Sequence, residues 1–185
     1  MTEQDLANER QVIEAAKKDA RAFGKIYDQY FEQIFSFVLR RTDDEEVSGD
    51  VTSQVFLKAL QGLNKYQFRG VPFSAWLYRI AHNEVNKYYR KQKLNKVFSF
   101  DQEQLFEFIQ PEDDKNYDEA LLEELMVELR QLPTDAMEVL ELRFFEEKNF
   151  KEISYILDIT ESGAKMRLYR AVEKLKKRFN ITLDD

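Results

Sequence analysis

The sequence predicts an all-α protein built from two small helical domains joined by an acidic linker. Three observations predict it. Glycine and proline are scarce, five and three in 185 residues, so long stretches lack the residues that punctuate turns. Apolar residues recur at three- and four-residue spacing, which is the period of one helix face. Charge is also segregated. Asn86–Lys96 carries five bases and no acid, Asp101–Glu128 carries eleven acids against Lys115 alone, and Lys165–Arg178 carries seven bases against Glu173. The acidic stretch divides the chain into a domain at 1–95, a linker at 96–117 and a domain at 118–185.

The first domain opens on Phe23, Ile26, Tyr27, Tyr30, Phe31, Ile34, Phe35, Val38 and Leu39, one broad apolar stripe of a long helix. Arg40 and Arg41 suit its C-terminal end, where the helix dipole favours cations. Thr42, Asp43 and Asp44 offer caps for a second helix with Glu45 and Glu46 in its first turn. Val47, Val51, Val55, Phe56 and Leu60 form the expected buried side of that helix. Tyr66 to Pro72 reads as a loop. A further helix follows to about Lys91, with Phe73, Leu77, Ile80, Ala81, Val85 and Tyr88 inward.

Phe98, Phe100, Phe106 and Phe108 are mixed with acids and Pro111 in the linker, more aromatic content than a plainly disordered tether carries. In the second domain, Pro133 breaks one helix and Thr134 is expected to cap the next, which buries Met137, Val139, Leu140 and Phe144. A short helix with Phe150, Ile153, Ile156 and Leu157 is followed by the turn Asp158–Ile159–Thr160. The last helix buries Ala164, Leu168, Ala171, Val172, Leu175 and Phe179.

Composition removes several classes of function. Without cysteine there is no disulfide framework, thiolate metal site or Cys nucleophile. His82 is the sole histidine, so a His-based triad or a multi-His metal centre has too few members. No nucleophile–base pair stands out, so an enzyme is not expected, nor is a cofactor or metal. No apolar run long enough for a signal peptide or a membrane span is present, and a cytoplasmic protein is expected.

The net charge of −7 argues against polyanion binding taken whole, but local field decides where a polyanion docks. At about 100° per residue, Arg167, Arg170, Lys174, Lys177 and Arg178 fall opposite the apolar side of the last helix. Two helices joined by a tight turn, the second basic outside, form a helix-turn-helix suited to a DNA major groove. An ordinary solvated basic helix would show the same pattern. Arg79, Asn83, Lys87 and Arg90 likewise align within an arc of about 80° on the helix after Pro72. They can meet phosphates and base edges. Trp76 lies at the border, either packed in the core or stacked on an unpaired base. The aromatic loop Tyr66–Gly70 suits splayed bases.

These residues resemble a known family, the extracytoplasmic-function (ECF) sigma factors. Four patches carry the resemblance. Phe23–Tyr30 resembles the opening helix, and Asp50-Val51-Thr52-Ser53-Gln54-Val55-Phe56 is similar to an Asp-x-x-Gln-x-x-Phe segment. Phe73–Asn83 is similar to a Trp-Leu-x-x-Ile-Ala-x-Asn segment. Leu132-Pro133, Glu152-Ile153 and Lys165–Ala171 resemble the second domain. The match covers about residues 20 to 178. The resemblance implies a sigma region 2-like bundle and a sigma region 4-like helix-turn-helix in a transcription initiation factor. Asp50, Gln54 and Phe56 would dock on core RNA polymerase. Phe68, Arg69, Gly70, Arg79, Asn83 and Lys87, joined by Trp76 and Arg90 from the helix reading, would hold the melted −10 element. Arg143, Ser162, Lys165, Arg167, Arg170 and Lys174 would bind the −35 element.

The implied partners are core RNA polymerase, promoter DNA and an anti-sigma factor. Ser154, Ser162-Gly163-Ala164 and Ser48-Gly49 depart from the usual pattern, so base preferences do not carry over. The acidic linker has three readings: a soluble tether, a segment threading the RNA path of polymerase, or a strap folding onto the basic helices. Without the resemblance, Phe56 would be core, and Asp50 and Gln54 solvated. A helix-turn-helix regulator acting without polymerase is the alternative function, though it leaves the aromatic loop and its basic helix unexplained.

Overall fold

The computed structural model describes residues 3–94, 96–100, 105, 119–176 and 179. Among the described residues there are eight α-helices and no strand. The chain forms two compact units, one made of Met1–Ser99 with Tyr155–Leu157 and the other of Phe100–Ser154 with Asp158–Asp185.

The first unit starts with a helix outside the predicted set, α1 (Glu3–Lys18). Asp19 then opens a short 3-10 turn at Ala20–Ala22, its carboxylate accepting the Arg21 amide at 2.9 Å. Helix α2 (Phe23–Thr42) ends where Asp43 turns left-handed, at φ 54°. The side chain of Asp44 caps α3 (Glu45–Gly62), accepting the Val47 amide at 2.9 Å. A 3-10 turn (Leu63–Lys65) and an extended loop lead to α4 (Phe73–Gln92). Helices α2, α3 and α4 pack on one another, and α1 lies on α2. Their shared core is Ile34, Phe37, Val38, Val55, Phe73, Leu77, Ala81 and Val85, each at most 1% exposed. Each large apolar side chain so buried contributes about 1.5–3 kcal/mol.

The buried sides differ in detail from the helical pattern. Leu60, expected inside, is 36% exposed, and Ala59 takes the inner position at 0%. Tyr78 and Tyr89 are buried, whereas Ile80 and Tyr88 are half-buried. Arg41, in the last turn of α2 as expected, is 1% exposed. Its guanidinium lies over the rings of Phe37 (4.5 Å) and Phe98 (5.3 Å), a cation–π arrangement that offsets part of the cost of burial. Phe98 belongs to a strap after α4. There the Ser99 amide donates to the Arg40 carbonyl at 2.7 Å. The Tyr89 hydroxyl donates to the Arg41 carbonyl and accepts the Val97 amide. Val97 to Ser99, read from sequence as part of the linker, thus lie on the first unit. The linker's residues 101–104 and 106–117 fall outside the described residues.

The second unit contains α5 (Glu119–Arg130), α6 (Thr134–Leu140), α7 (Phe150–Leu157) and α8 (Glu161–Leu175). Thr134 does not cap α6. Pro133 occupies the cap position with no side-chain cap bond, and Thr134 is the first helical residue. Helix α6 runs into a π-helical turn at Glu141–Phe145, marked by the Glu146 amide donating to the Glu141 carbonyl at 3.1 Å. The core joins Leu125, Val139, Leu140, Leu142, Ile153, Ala164, Leu168, Val172 and Leu175. Phe100 stacks on Phe145 with centroids 4.2 Å apart. No described helix is long and apolar enough to cross a membrane.

Candidate nucleic-acid and polymerase interfaces

The helix-turn-helix of the second unit is fixed at three points. Asn149 and Glu152 form a capping box: Asn149 Oδ1 accepts the Glu152 amide (3.0 Å) and Glu152 Oε2 accepts the Asn149 amide (2.9 Å). Two orphan donors at the start of α7 are thereby satisfied. Asp158 ends α7 in the left-handed region, at φ 58°. Thr160 Oγ1 then caps α8 by accepting the Gly163 amide at 3.0 Å. A Cβ at position 163 would lie 2.9 Å from that hydroxyl, so a side chain there would crowd the cap.

The six apolar residues expected inside the last helix are buried, from Ala164 at 0% to Phe179 at 5%. The outward face is mixed rather than uniformly basic. Ser162, Lys165, Tyr169, Arg170 and Lys174 are exposed, and so is Met166 at 49%. Arg167 is half-buried, its Nε 3.3 Å from Asp135 Oδ2 on α6. Lys174 Nζ reaches the Gln131 carbonyl at 3.5 Å. Arg143 sits in the π turn, half-buried. Met166 and Tyr169 escaped the sequence reading. The signal lay in helical register, since Met166 falls opposite Leu168 and Leu175 and Tyr169 falls about 100° to 120° from them, although apolar character argued for burial.

In the first unit, Asn83, Lys87 and Arg90 are exposed along α4, and Arg79 is half-buried. Glu84 sits between the basic positions, paired with Lys58 of α3 and 3.9 Å from Lys87. Beyond Arg90, the stripe borders an open cleft of about 500 Å³ lined by Asn83, Asn86, Arg90, Lys93 and Lys96. His82 is half-buried beside Asn86, whose Nδ2 is 3.0 Å from the ring Nε2. Trp76 is half-buried, packed on Tyr66 (4.9 Å) and Phe73 (5.2 Å). A Cβ on Gly62 would meet its ring at 3.3 Å.

The loop presents Phe68, Arg69 and Gly70 to solvent, with Gly70 at φ 75°. Arg10 of α1 lies 4.4 Å over the Phe68 ring. Between α1 and this loop is a cavity of about 160 Å³ lined by Glu9, Arg10, Ile13, Tyr66 and Phe68. Burial, reinforced by the Glu9 charge, pushes the Tyr66 hydroxyl above the usual phenol range.

Asp50 and Gln54 are exposed on α3. Phe56 is 3% exposed, its ring against Tyr27 (4.8 Å), Phe31 (6.3 Å) and Phe23 (6.5 Å). Hydrophobic side chains on the outside of α3 are Leu57, 46% exposed, and Leu60, 36% exposed. Among the described residues, no group of three or more His, Cys, Asp or Glu could hold a metal ion.

An all-helical chain with a helix-turn-helix and a separate bundle bearing a basic, aromatic-flanked helix defines a class of DNA-binding transcription protein. Comparison with known proteins specifies the family. Residues 26–94 match the model of Sigma-70 region 2, and residues 122–175 match Sigma-70, region 4. The chain is 34% identical over 156 residues to the RNA polymerase sigma factor YlaC of Bacillus subtilis, covering 82% of this chain and 88% of that one. It is 27% identical over 173 residues to the ECF RNA polymerase sigma factor BldN of Streptomyces coelicolor, covering 92% of this chain and 66% of BldN. The fold is similar to that of the sigma factor RpoE of Bartonella quintana, solved in complex with the anti-sigma factor NepR. The TM-score is 0.60 at 18% identity, over 84% of this chain and 94% of RpoE. The chain belongs to the sigma-70 family, in its ECF branch, the transcription initiation factors that direct RNA polymerase to promoters.

Proposed function

We propose that this chain binds core RNA polymerase through α3 and grips promoter DNA at two places, one with each unit. The observation that carries the reading is the outward face of α8. Ser162, Lys165, Met166, Tyr169 and Arg170 stand exposed on the second helix of a capped helix-turn-helix. Lys165 and Arg170 suit phosphates and guanine edges, and Met166 and Tyr169 suit a thymine methyl. This surface, with Arg143, Arg167 and Lys174 at its margin, reads the −35 duplex.

The first unit holds the melted −10 strand. Phe68, Arg69 and Gly70 receive an unstacked base, while Arg79, Asn83, Lys87 and Arg90 follow the backbone along α4. Trp76 supports that loop from beneath. Asp50 and Gln54 meet polymerase, and Phe56 sets their helix by packing behind it. Residues 1–95 and 118–185 act as the two working domains, and Val97 to Ser99 belong with the first of them rather than with the linker. An anti-sigma factor is a further partner, as RpoE was solved in complex with the anti-sigma factor NepR. The work is done in the cytoplasm, without a cofactor and without catalysis by this chain.

Run-off transcription with core polymerase on genomic fragments tests the proposal. Discrete start sites that depend on the added chain are expected. Absence of such sites, with polymerase active on a control factor, would sink it.

A further inference from the structure

In the second unit, three elements converge on one ring. The Arg143 guanidinium carbon, from the π turn, lies 5.5 Å from the centroid of Phe150. The Lys165 ammonium, from α8, lies 5.3 Å from the same centroid. Phe150 is the first residue of α7 and is half-buried, while Ile153 and Ile156 supply the core contacts of that helix at 0% and 1% exposure. Its backbone is pinned by the Asn149–Glu152 capping box directly beside it. The π turn places an extra residue before α7 and so sets where the Arg143 side chain leaves its helix. Both cations fall within the range at which an aromatic face attracts positive charge, about 6 Å.

We propose that Phe150 is a positioning residue for duplex recognition: its ring is a shared support that holds Arg143 and Lys165 ready to meet DNA. Two like charges on different elements repel, and two long flexible side chains lose rotamer freedom when they bind. One fixed ring addresses both costs. It attracts each cation through its quadrupole and limits their conformations before DNA arrives. The geometry thus ties the π turn, the first helix of the motif and the reading helix into one unit. This inference rests on the reading that Arg143 and Lys165 face the −35 duplex.

The test uses holoenzyme reconstituted from the full chain and core polymerase, with the strongest promoter fragment recovered by run-off transcription as probe. The paired substitution Arg143→Ala with Lys165→Ala checks the underlying reading. It should weaken promoter affinity and lower the salt-dependence slope by about two. No effect would remove the DNA role of these cations.

Phe150→Leu tests the support itself, and Phe150→Met repeats the test with an unbranched side chain that packs well but has no π face. Each should weaken affinity roughly fivefold or more, with assembly onto core polymerase unchanged, and Phe150→Tyr should restore it to within about twofold. In the background lacking both cations, Phe150→Leu and Phe150→Met should have no further effect. Equal losses in the two backgrounds would overturn the proposal and leave Phe150 as packing alone. Native affinity in both Phe150→Leu and Phe150→Met would overturn it as well.

Discussion

Both carboxylate oxygens of Glu9 lie 3.2 Å from the backbone amide of Phe73, a residue 64 positions later in the chain. That amide is the first of α4, and Pro72 at the cap position supplies no side-chain cap bond. The first amides of a helix lack intrahelical partners, and the dipole there favours negative charge. Glu9 therefore acts as a cap delivered from another helix. It also accepts the Tyr30 hydroxyl at 2.7 Å. One carboxylate thus joins α1, α2 and the start of α4, the helix that carries Asn83, Lys87 and Arg90.

Replacing Glu9 with Ala should destabilise the first unit by about 1–3 kcal/mol, the cost of leaving buried donors unsatisfied. Glu9→Gln should lie between, because the amide oxygen still accepts. Urea unfolding followed by far-UV circular dichroism measures both. An unchanged midpoint in Glu9→Ala would contradict the capping role.

Alkaline pH should weaken the same region. Burial, then the hydrogen bond to Glu9, holds the Tyr30 hydroxyl well above its ordinary value of 10.0, and burial with the Glu9 charge does the same for Tyr66. The folded state therefore keeps these protons where the unfolded chain releases them. Their contribution is fully present below about pH 10 and declines as pH rises above it, by about 1.4 kcal/mol per pH unit for each group. Tyr30→Phe should flatten the fall in unfolding midpoint between neutral and strongly alkaline pH. An identical slope in native chain and variant would count against it.

At the start of α8, Gly163→Ala should cost about 1 kcal/mol, because the new methyl crowds the Thr160 hydroxyl that caps the helix. Thr160→Ala should cost a similar amount. Combining the two should cost little more than either alone, since both remove one cap. Thermal melting of the three variants gives the comparison, and additive losses would show that the cap is not their shared target.

On α3, exposure separates docking from packing. Asp50→Ala with Gln54→Ala should leave the melting temperature unchanged and lower affinity for core polymerase. Phe56→Ala should destabilise the fold by about 3–5 kcal/mol, as large core truncations do. Fluorescence anisotropy with core polymerase, beside melting curves, distinguishes the two. Native affinity in the Asp50/Gln54 variant would remove this face from the interface.

Much of this protein is determined by its sequence alone. The three-four spacing of Phe23 to Leu39 and of Ala164 to Phe179 specifies long amphipathic helices, because only one face of a helix can be buried. Pro133 specifies a break, and Asp158-Ile159-Thr160 a tight turn. Exposure was legible as well: Asp50, Gln54, Asn83, Lys87, Lys165 and Arg170 stand exposed on the helices that the spacing predicts.

What the tertiary structure decided was how side chains are shared between elements. Spacing along one helix carries no information about a partner 64 residues away, so Glu9 as the cap of α4 could not be read from it. The burial of Arg41 depends on Phe98 returning over its helix, and the tethering of Arg167 depends on where Asp135 falls. Spacing makes Phe150 one more core residue, and only the fold brings Arg143 and Lys165 to its ring. Helical periodicity orders residues within an element, whereas packing sets distances between elements, and it is packing that brings side chains of different elements together.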